Sequence, residues 1–415
     1  MLYQAEESHE NMESHPLAVR MAIIAFINMN LTLACIWGTF SVLLGPVEAR
    51  LHVGRELSTL AIPAVNLAAA ICAPIVGALA ARYSLRLIML LGASCSVAGF
   101  LLLASSRSFP LYLASYGLLI GPGMAIGLVM PNTLVTRWFA VNRGKALGLI
   151  SMPLMIAVMP LVSTWTLQKY GVPSTYLTLA AISVIAVVAN LFVIDMPPGY
   201  ETSAKITPVA VSGINMADLL RTPRFWVLLF AFIASSTGSI VLNAHMVPLA
   251  RSWGLSATFG AALLATMALV GIAGTLFYGW VADRLGGALS MAVVVLIPSL
   301  LWITLLSHPA FPVAVVLVGV IGLNGSGILP VYSYALSEAF GPEGFSRAYG
   351  LSNLLNLPFS VLCVPVASLI FTRTGSYDLA IIAVAGFMGM TGLVALTARR
   401  RRGQAPTALA NSNQK

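Results

Sequence analysis

The sequence predicts an all-α membrane protein with twelve transmembrane helices, arranged as two pseudo-symmetric six-helix bundles. Three observations support this fold class: the composition, the number of long apolar runs and an internal repeat. Apolar residues make up 59% of the 415 residues and charged residues only 8%, whereas a soluble domain carries about 25% charged residues. The chain therefore lacks the polar side chains that a surface in water requires, and we expect a lipid bilayer around it.

Twelve apolar runs are long enough to cross a bilayer as helices of about 20 residues. A backbone in hydrocarbon must satisfy its own hydrogen bonds, which predicts that each run is a helix. All Lys, Arg, Asp and Glu residues lie outside these runs or at their margins. In chain order, spans 1 to 12 are predicted at residues 21–47, 57–81, 87–104, 110–134, 146–167, 175–194, 225–247, 257–281, 288–306, 311–334, 348–371 and 378–398.

The basic residues in the gaps between the runs favour one side of the membrane. When alternate gaps are assigned to opposite sides, one side holds Arg20, Arg82, Arg86, Arg137, Arg143, Lys145, Lys205, Arg221, Arg224, Arg284, Arg347, Arg399 to Arg402 and Lys415. The other side holds only Arg50, Arg55, Arg107, Lys169, Arg251 and Arg373. Since basic loops stay in the cytoplasm, both termini are predicted to be cytoplasmic and the protein to lie in the plasma (cytoplasmic) membrane. The net charge of +9 therefore reflects topology, and we expect no nucleic-acid partner.

The two halves of the chain share residues at one fixed spacing. Five identical pairs are 202 positions apart: Pro46 and Pro248, Gly77 and Gly279, Arg82 and Arg284, Ala146 and Ala348, and Gly148 and Gly350. Each pair falls at the same stage of a six-span unit, which indicates a duplicated bundle. We therefore predict a cytoplasmic tail at 1–19, bundles at 20–195 and 224–398, a cytoplasmic linker at 196–223 and a basic tail at 399–415.

The loops after spans 2 and 8 carry related motifs. The second reads Gly-Trp-Val-Ala-Asp-Arg-Leu-Gly-Gly from Gly279, with Asp283 and Arg284 inside it, and the first runs from Gly77 through Arg82. Together with the twelve spans and the duplication, these motifs resemble the major facilitator superfamily, whose signature loop reads G-x-x-x-D-R-x-G-R at both places. The resemblance covers nearly the whole chain and implies secondary transport by alternating access.

The resemblance also implies a gating role for Gly77, Arg82, Gly279, Asp283 and Arg284. Small glycines let helices approach closely, and an aspartate can accept hydrogen bonds from a helix N-terminus. In the first loop, Ala81 and Ser84 replace the acid and the glycine of the family pattern. We therefore expect the gating contact of the first loop to be weak, or to be formed by other residues. The alternative is that both arginines only anchor the topology.

Shorter segments resemble the monocarboxylate and oxalate/formate branch of the superfamily. They are Arg137-Trp138-Phe139 after span 4, Arg221-Thr-Pro-Arg-Phe-Trp before span 7 and His245-Met-Val-Pro-Leu-Ala-Arg at its end. The branch commonly carries an arginine on span 8 and sometimes a lysine on span 11, and these positions hold Thr275 and Asn356 here. A carboxylate would then rely on neutral donors or enter protonated, so a dianion is disfavoured and a neutral solute remains an alternative.

Spans 1, 4, 7 and 10 line the central cavity in this superfamily, and polar residues within the spans are the candidate solute contacts. The set is Thr39, Tyr116, Asn243, His245, Thr275, Asn324, Asn353 and Asn356. A side-chain amide in hydrocarbon is unfavourable unless it is paired. These residues therefore indicate either a wet cavity or hydrogen bonds between helices.

Few residues within the spans could carry a proton and so couple transport to a proton gradient. His245 is the imidazole within a span, and histidine can gain and lose a proton near neutral pH, so protons are a candidate partner. The alternative is a neutral histidine that is hydrogen-bonded at the helix end. No phosphate-binding loop, zinc-ligand spacing or paired intramembrane carboxylate occurs in the sequence, so we expect no metal, no cofactor and no enzymatic activity.

The sequence thus predicts an alternating-access carrier, in monomeric form, for a small organic solute such as a monocarboxylate-like metabolite. An exporter or facilitator of a neutral or amphipathic molecule is the alternative. A channel is a further possibility, which a counterflow assay separates from a carrier. A membrane-embedded sensor is another; it would be expected to carry an added soluble domain, for which the short gaps between the runs leave no room.

Overall fold

The computed structural model describes residues 16–197 and 216–397, and it confirms an all-α membrane fold. Eleven helical segments of these residues are long and apolar enough to span a membrane. One of them, Arg143–Asn190, has 48 residues, which is enough for two crossings, and Gly171 divides it with φ 78°. The described chain therefore has twelve spans, and no strand occurs within residues 16–197 and 216–397.

The bounds of the spans follow the predicted order. Spans 1 to 4 are Pro16–Leu51, Ala61–Leu79, Leu85–Ser105 and Phe109–Trp138, and spans 5 and 6 are the parts of Arg143–Asn190 before and after Gly171. Spans 7 to 12 are Pro223–Ser252, Ala257–Leu285, Gly287–Thr304, Phe311–Pro342, Gly344–Thr374 and Asp378–Thr397. Two short helices, Arg55–Ser58 and Met216–Arg221, lie outside the spans.

The predicted domain boundaries fall partly outside the described residues, namely at 1–15, 198–215 and 398–415. Span 1 already begins at Pro16, inside the predicted tail. The short helix Met216–Arg221 lies inside the predicted linker, with Leu219 buried. Span 1 extends beyond its apolar run, whereas Met216–Arg221 is a separate helix that Thr222 divides from span 7. The limits of the two bundles stay predictions.

Local sequence accounts for several span ends. Ser84 accepts a hydrogen bond from the Leu87 amide (3.2 Å), and Ser256 accepts one from the Phe259 amide (3.3 Å). These serines satisfy amides that a helix start leaves unpaired, so spans 3 and 8 begin there. Span 11 ends at Gly375 with φ 73°, a left-handed conformation that glycine adopts without steric cost.

Span 5 is interrupted one-third of the way along its length. The helix Arg143–Ile150 ends, and a new helix begins at Leu154. The Asn30 side chain of span 1 bridges the break: Nδ2 donates to the Ile150 carbonyl and Oδ1 accepts from the Met155 amide, both at 3.3 Å. Asn30 thus pairs two backbone groups that the break leaves without helical partners, as hydrocarbon surroundings require.

Spans 2 and 11 make the first close contact between the two halves. A Cβ atom at Gly77 would overlap the backbone carbonyl of Ser346, and one at Gly350 would overlap the backbone carbonyl of Ala73. The two helices therefore touch backbone to backbone, an approach that only very small residues permit.

Spans 5 and 8 make the second close contact, and it repeats the first. A Cβ atom at Gly279 would overlap the Gly144 carbonyl, and one at Gly148 would overlap the Thr275 carbonyl. Each of these four positions is related to one of the span 2–span 11 contact by the 202-residue spacing. The internal repeat of the sequence therefore appears in the structure as a pseudo-two-fold contact.

Both contacts lie at one end of the molecule. We call this the closed end, defined by Gly77, Gly144, Gly279 and Ser346. Toward the other end, the open end, spans 1 and 7 hardly touch each other, and the part of span 5 after its break leaves span 8. The two halves therefore diverge from a shared floor.

A reciprocal pair of carboxamides holds spans 1 and 6 together inside the N-terminal half. Asn28 donates to Asn190 Oδ1 (2.7 Å), and Asn190 donates to Asn28 Oδ1 (3.0 Å) and to the Met89 carbonyl of span 3 (2.9 Å). Both side chains are buried.

We predict that Asn190→Ala lowers the free energy of unfolding by roughly 1–3 kcal/mol, because the buried Asn28 amide loses its partner. The combined variant Asn28→Ala/Asn190→Ala should cost less than the sum of Asn28→Ala and Asn190→Ala measured singly, since it leaves neither carboxamide of the pair without its partner. Unfolding in detergent mixtures measures the double-mutant cycle. Additive losses would contradict a direct interaction.

Candidate functional site

A cavity of about 720 Å³ lies between the two halves, above the closed end. Five spans line it: 1, 2 and 4 from the N-terminal half and 7 and 11 from the C-terminal half. None of the described residues that line it carries a formal charge. Its polar side chains are Trp37, Asn66, Ser239, Asn243, Asn353, Asn356 and Ser360. The remaining lining is apolar, so the cavity combines an apolar wall with several carboxamides, as small-molecule sites commonly do.

Three of the predicted solute contacts line this cavity. Asn243 and Asn353 each donate one amide hydrogen to their own helix, at the carbonyls of Ser239 (2.8 Å) and Tyr349 (2.9 Å). Their side-chain oxygens have no hydrogen-bond partner within the described residues. These two side chains therefore offer both a donor and an acceptor to a molecule in the cavity.

Asn356 differs from the other two because its oxygen is occupied. The Ser236 hydroxyl donates to Asn356 Oδ1 at 3.3 Å, which orients the carboxamide across spans 7 and 11. The Asn356 NH₂ group has no hydrogen-bond partner within residues 16–197 and 216–397. Asn356 is therefore positioned to act as a donor.

The other predicted contacts on spans 1, 4, 8 and 10 lie away from the cavity lining. Thr39 is buried and donates to the Cys35 carbonyl (2.7 Å). Tyr116 is buried in a π-helical turn of span 4, edge-on to the Tyr112 ring. These side chains contribute to packing inside the N-terminal half.

Thr275 and Asn324 also form hydrogen bonds within the protein instead of lining the cavity. Thr275 donates to the Ile272 carbonyl (2.9 Å), and its backbone meets Gly148 at the closed end. Asn324 accepts a hydrogen bond from the Tyr278 hydroxyl and donates to the Val320 carbonyl (2.6 Å). The Asn324 carboxamide therefore ties span 10 to span 8.

His245 is buried near the open end and both its ring nitrogens have partners. Nε2 lies 3.3 Å from the Val364 carbonyl, and Nδ1 lies 3.3 Å from the Tyr377 hydroxyl. Burial raises the pKa of Tyr377, so this phenol keeps its proton and can donate to Nδ1. With a proton on Nε2, His245 donates to the Val364 carbonyl, and Nδ1 accepts from the Tyr377 hydroxyl.

Asn66, Trp37, Ser239 and Ser360 line the cavity but were not among the predicted contacts. Asn66 stands within the apolar run of span 2, and the same rule that selected the other asparagines would have found it. The resemblance to the superfamily implies a cavity lined by spans 1, 4, 7 and 10, whereas here span 2 also supplies a wall of the cavity.

The carboxylate of Asp283 joins the two halves at the closed end. Oδ1 accepts from the Gly144 amide (2.6 Å) and Oδ2 from the Lys145 amide (2.9 Å). These amides begin span 5, where the helix dipole favours a negative charge. Nearby, the Arg143 guanidinium donates to the Ser337 hydroxyl of span 10 (3.1 Å). Asp283 therefore caps a helix that belongs to the opposite half.

The corresponding position in the first half is Ala81, which has no carboxylate to offer span 11. Instead, Asp195 accepts from the Leu85 and Arg86 amides at the start of span 3 (2.8 and 3.2 Å). That contact stays within the N-terminal half. The acidic cap between the halves is therefore one-sided in the described chain.

The two arginines among the predicted gating residues, Arg284 and Arg82, form no hydrogen bond or ion pair with the opposite half within the part of the chain that the structure describes. The Arg284 guanidinium lies 4.8 Å from the centre of the Trp280 ring, and Arg82 is exposed. The described residues include no group of three or more His, Cys, Asp and Glu side chains that could hold a metal ion.

Comparison with known proteins identifies relatives along most of the chain. The sequence pattern of the Major Facilitator Superfamily matches residues 26–356. The chain is 25% identical over 369 residues to the uncharacterized MFS-type transporter YcxA of Bacillus subtilis, covering 86% of this chain and 90% of the relative. It is 29% identical over 278 residues to the oxalate:formate antiporter of Oxalobacter formigenes, covering 65% of each. It is 24% identical over 326 residues to monocarboxylate transporter 13 of Bos taurus, covering 76% and 74%.

Solved structures of low sequence identity share the fold. The Escherichia coli fucose:proton symporter FucP superimposes with a TM-score of 0.71 at 14% identity, covering 91% of this chain and 98% of that one. The human organic anion transporter MFSD10 gives a TM-score of 0.68 at 15% identity, covering 92% and 100%.

We predict that Asp283→Ala loosens the closed end. A carboxylate at a helix N-terminus contributes about 0.3–2 kcal/mol, so hydrogen exchange at residues 143–150 should accelerate by about twofold to thirtyfold. Hydrogen-exchange mass spectrometry measures this directly.

The matched control for Asp283 is Glu338, which accepts from the Gly287 amide (2.6 Å) at the start of span 9 inside its own half. Glu338→Gln should leave exchange at residues 143–150 unchanged. Equal acceleration there in both variants would show that Asp283 does not act across the halves.

Proposed function

The chain is a multi-pass membrane transporter that belongs to the Major Facilitator Superfamily, and we propose that it carries a small organic solute, a monocarboxylate-like metabolite, by alternating access. The uncharged, amide-lined cavity between the halves carries this proposal. A solute bound there is surrounded by both bundles, and a rocking of the bundles about it would expose it to the other side. The relatives named as an oxalate:formate antiporter and as monocarboxylate transporters support the substrate class.

We assign solute contact to Asn243, Asn353 and Asn356. Their amide hydrogens can donate to a carboxylate, and each hydrogen bond to a charged acceptor contributes about 1.5–3 kcal/mol. The described lining holds no arginine or lysine, and burying two negative charges without a cation is expensive. The cavity therefore favours a monoanion, or an acid that binds in its protonated form, over a dianion.

A neutral or amphipathic solute is the second candidate. Ala69, Ala70, Ala73, Met124 and Leu128 form an apolar wall in the same cavity. Such a wall suits an uncharged molecule with one or two hydrogen-bonding groups.

In the proposed topology, both termini are cytoplasmic and the protein acts as a monomer in the plasma membrane. The closed end then faces the cytoplasm and the cavity opens outward. The basic residues of the closed-end loops, such as Arg82, Arg137 and Arg284, support this orientation by the positive-inside rule.

We predict saturable uptake of labelled monocarboxylates such as lactate into proteoliposomes, with counterflow against internal lactate. Asn356→Ala should raise KM by about tenfold or more, because one hydrogen bond to the carboxylate is lost. The control Thr372→Val changes an exposed residue farther along span 11 and should leave KM unchanged.

Flux that does not saturate and shows no counterflow would identify a channel instead. Uptake of uncharged solutes in preference to monocarboxylates would favour the second candidate.

Proton movement with the solute is proposed to occur on the solute's own carboxyl group, since both His245 nitrogens are held by protein contacts. Uptake should then rise as the external pH falls from 7.5 to 5.5, because the protonated fraction of the acid grows. We predict that His245→Gln keeps this dependence. Loss of the pH dependence in the variant, with uptake retained at pH 7.5, would assign the proton to His245.

A further inference from the structure

Within the proposed transport function, we infer that Asn66 of span 2 is the solute contact of the N-terminal half. We propose that it acts when the cavity closes around the solute rather than when the solute first binds. Three features of the cavity support this role: the division of polar groups between the halves, the unpaired state of the Asn66 carboxamide and its height above the closed end.

The polar side chains of the cavity are divided unequally between the two halves. The C-terminal half supplies three carboxamides and two hydroxyls. The N-terminal half supplies Asn66 and the indole of Trp37, and the indole can only donate. Asn66 is thus the side chain on this wall that offers both a donor and an acceptor. A solute in the open cavity is held mainly by the C-terminal half.

Asn66 also differs from the other buried asparagines of its half. Asn28, Asn30, Asn132 and Asn190 all make hydrogen bonds with the protein. The Asn66 side chain is partly buried and has no hydrogen-bond partner within the described residues. A carboxamide placed in an apolar run without a protein partner needs one from the cavity.

The height of Asn66 matches that of the carboxamides on span 11. Asn66 lies seven residues from Ala73, about 10 Å along a helix that rises about 1.5 Å per residue. Asn356 lies six residues from Gly350, about 9 Å by the same measure. Ala73 and Gly350 touch at the floor. The two carboxamides therefore stand at similar heights on walls that diverge from one contact.

Closure of the open end would bring these two walls together. A solute already bound to Asn356 would then meet Asn66, so the hydrogen bond to Asn66 would form on the way to the occluded state. An interaction made only at this stage raises turnover and leaves initial affinity nearly unchanged. Asn66 is therefore a solute contact that couples solute binding to the movement of the N-terminal half.

The test separates binding from turnover. Formate, acetate, lactate and pyruvate are first screened for saturable uptake by the unmodified protein, and the best transported acid becomes the probe. Its Kd in detergent and its maximal uptake rate in proteoliposomes are then measured for the unmodified protein, Asn66→Ala, Asn66→Ser and Leu67→Ala. Leu67 is the neighbouring residue on span 2 and is 50% exposed, so it serves as the matched control.

We expect Asn66→Ala to keep Kd within about threefold and to lower the maximal rate at least tenfold. Asn66→Ser, which keeps a hydroxyl, should fall between Asn66→Ala and the unmodified protein and provides the folded variant if the alanine variant is unstable. Leu67→Ala should change neither quantity.

A parallel loss of affinity and rate, or no loss of either, would overturn the role of Asn66 while leaving the transport function intact. If the unmodified protein transports none of the four acids, the proposed substrate class fails and this inference fails with it. The two failures are distinguished by the unmodified protein alone.

Discussion

The backbone contact of two helix pairs at one end of the molecule is the constraint on which the rest of the structure depends. Gly77 and Gly279 bring their helices so close that a single Cβ atom would overlap a carbonyl of the partner span. With the floor fixed in this way and spans 1 and 7 apart, the halves must enclose a space above it. The position of the cavity therefore follows from the glycines, which permit close contact between the halves at the closed end.

The polar groups of the chain are distributed in the same way, between the closed end and the cavity above it. Charged groups lie at the span ends, where Asp283 and Arg143 connect the two halves at the closed end. Inside the spans, carboxamides are mostly paired, as Asn28 is with Asn190, because an unpaired amide in hydrocarbon is costly. Within the described residues, Asn66, Asn243, Asn353 and Asn356 keep unpaired carboxamide atoms, and all four line the cavity. The unused hydrogen-bonding capacity of these carboxamides is therefore available to a solute.

The twelve spans and the repeat could be predicted because each depends on local sequence or on spacing. Gly148 and Gly350 were matched by the 202-residue spacing, and the structure uses both in equivalent contacts. The residues of the site were harder to predict, because Asn324 and Asn356 both lie within apolar runs and the sequence does not distinguish them. Only the Tyr278 hydroxyl, which bonds to Asn324, distinguishes a structural asparagine from one that faces the cavity. The break in span 5 depends on a partner, Asn30, that lies more than a hundred residues away.

We propose that the two halves pivot about the cavity, so that one end opens as the other closes. Distances between spin labels test it in a chain whose four cysteines are replaced by alanine. One pair, at Tyr83 and Leu285, reports the closed end, and a second pair, at Arg107 and Ala310, reports the open end; all four side chains are exposed. Addition of a transported monocarboxylate should lengthen the first distance and shorten the second together. Distances that change in the same direction, or that do not respond to the solute, would contradict the account.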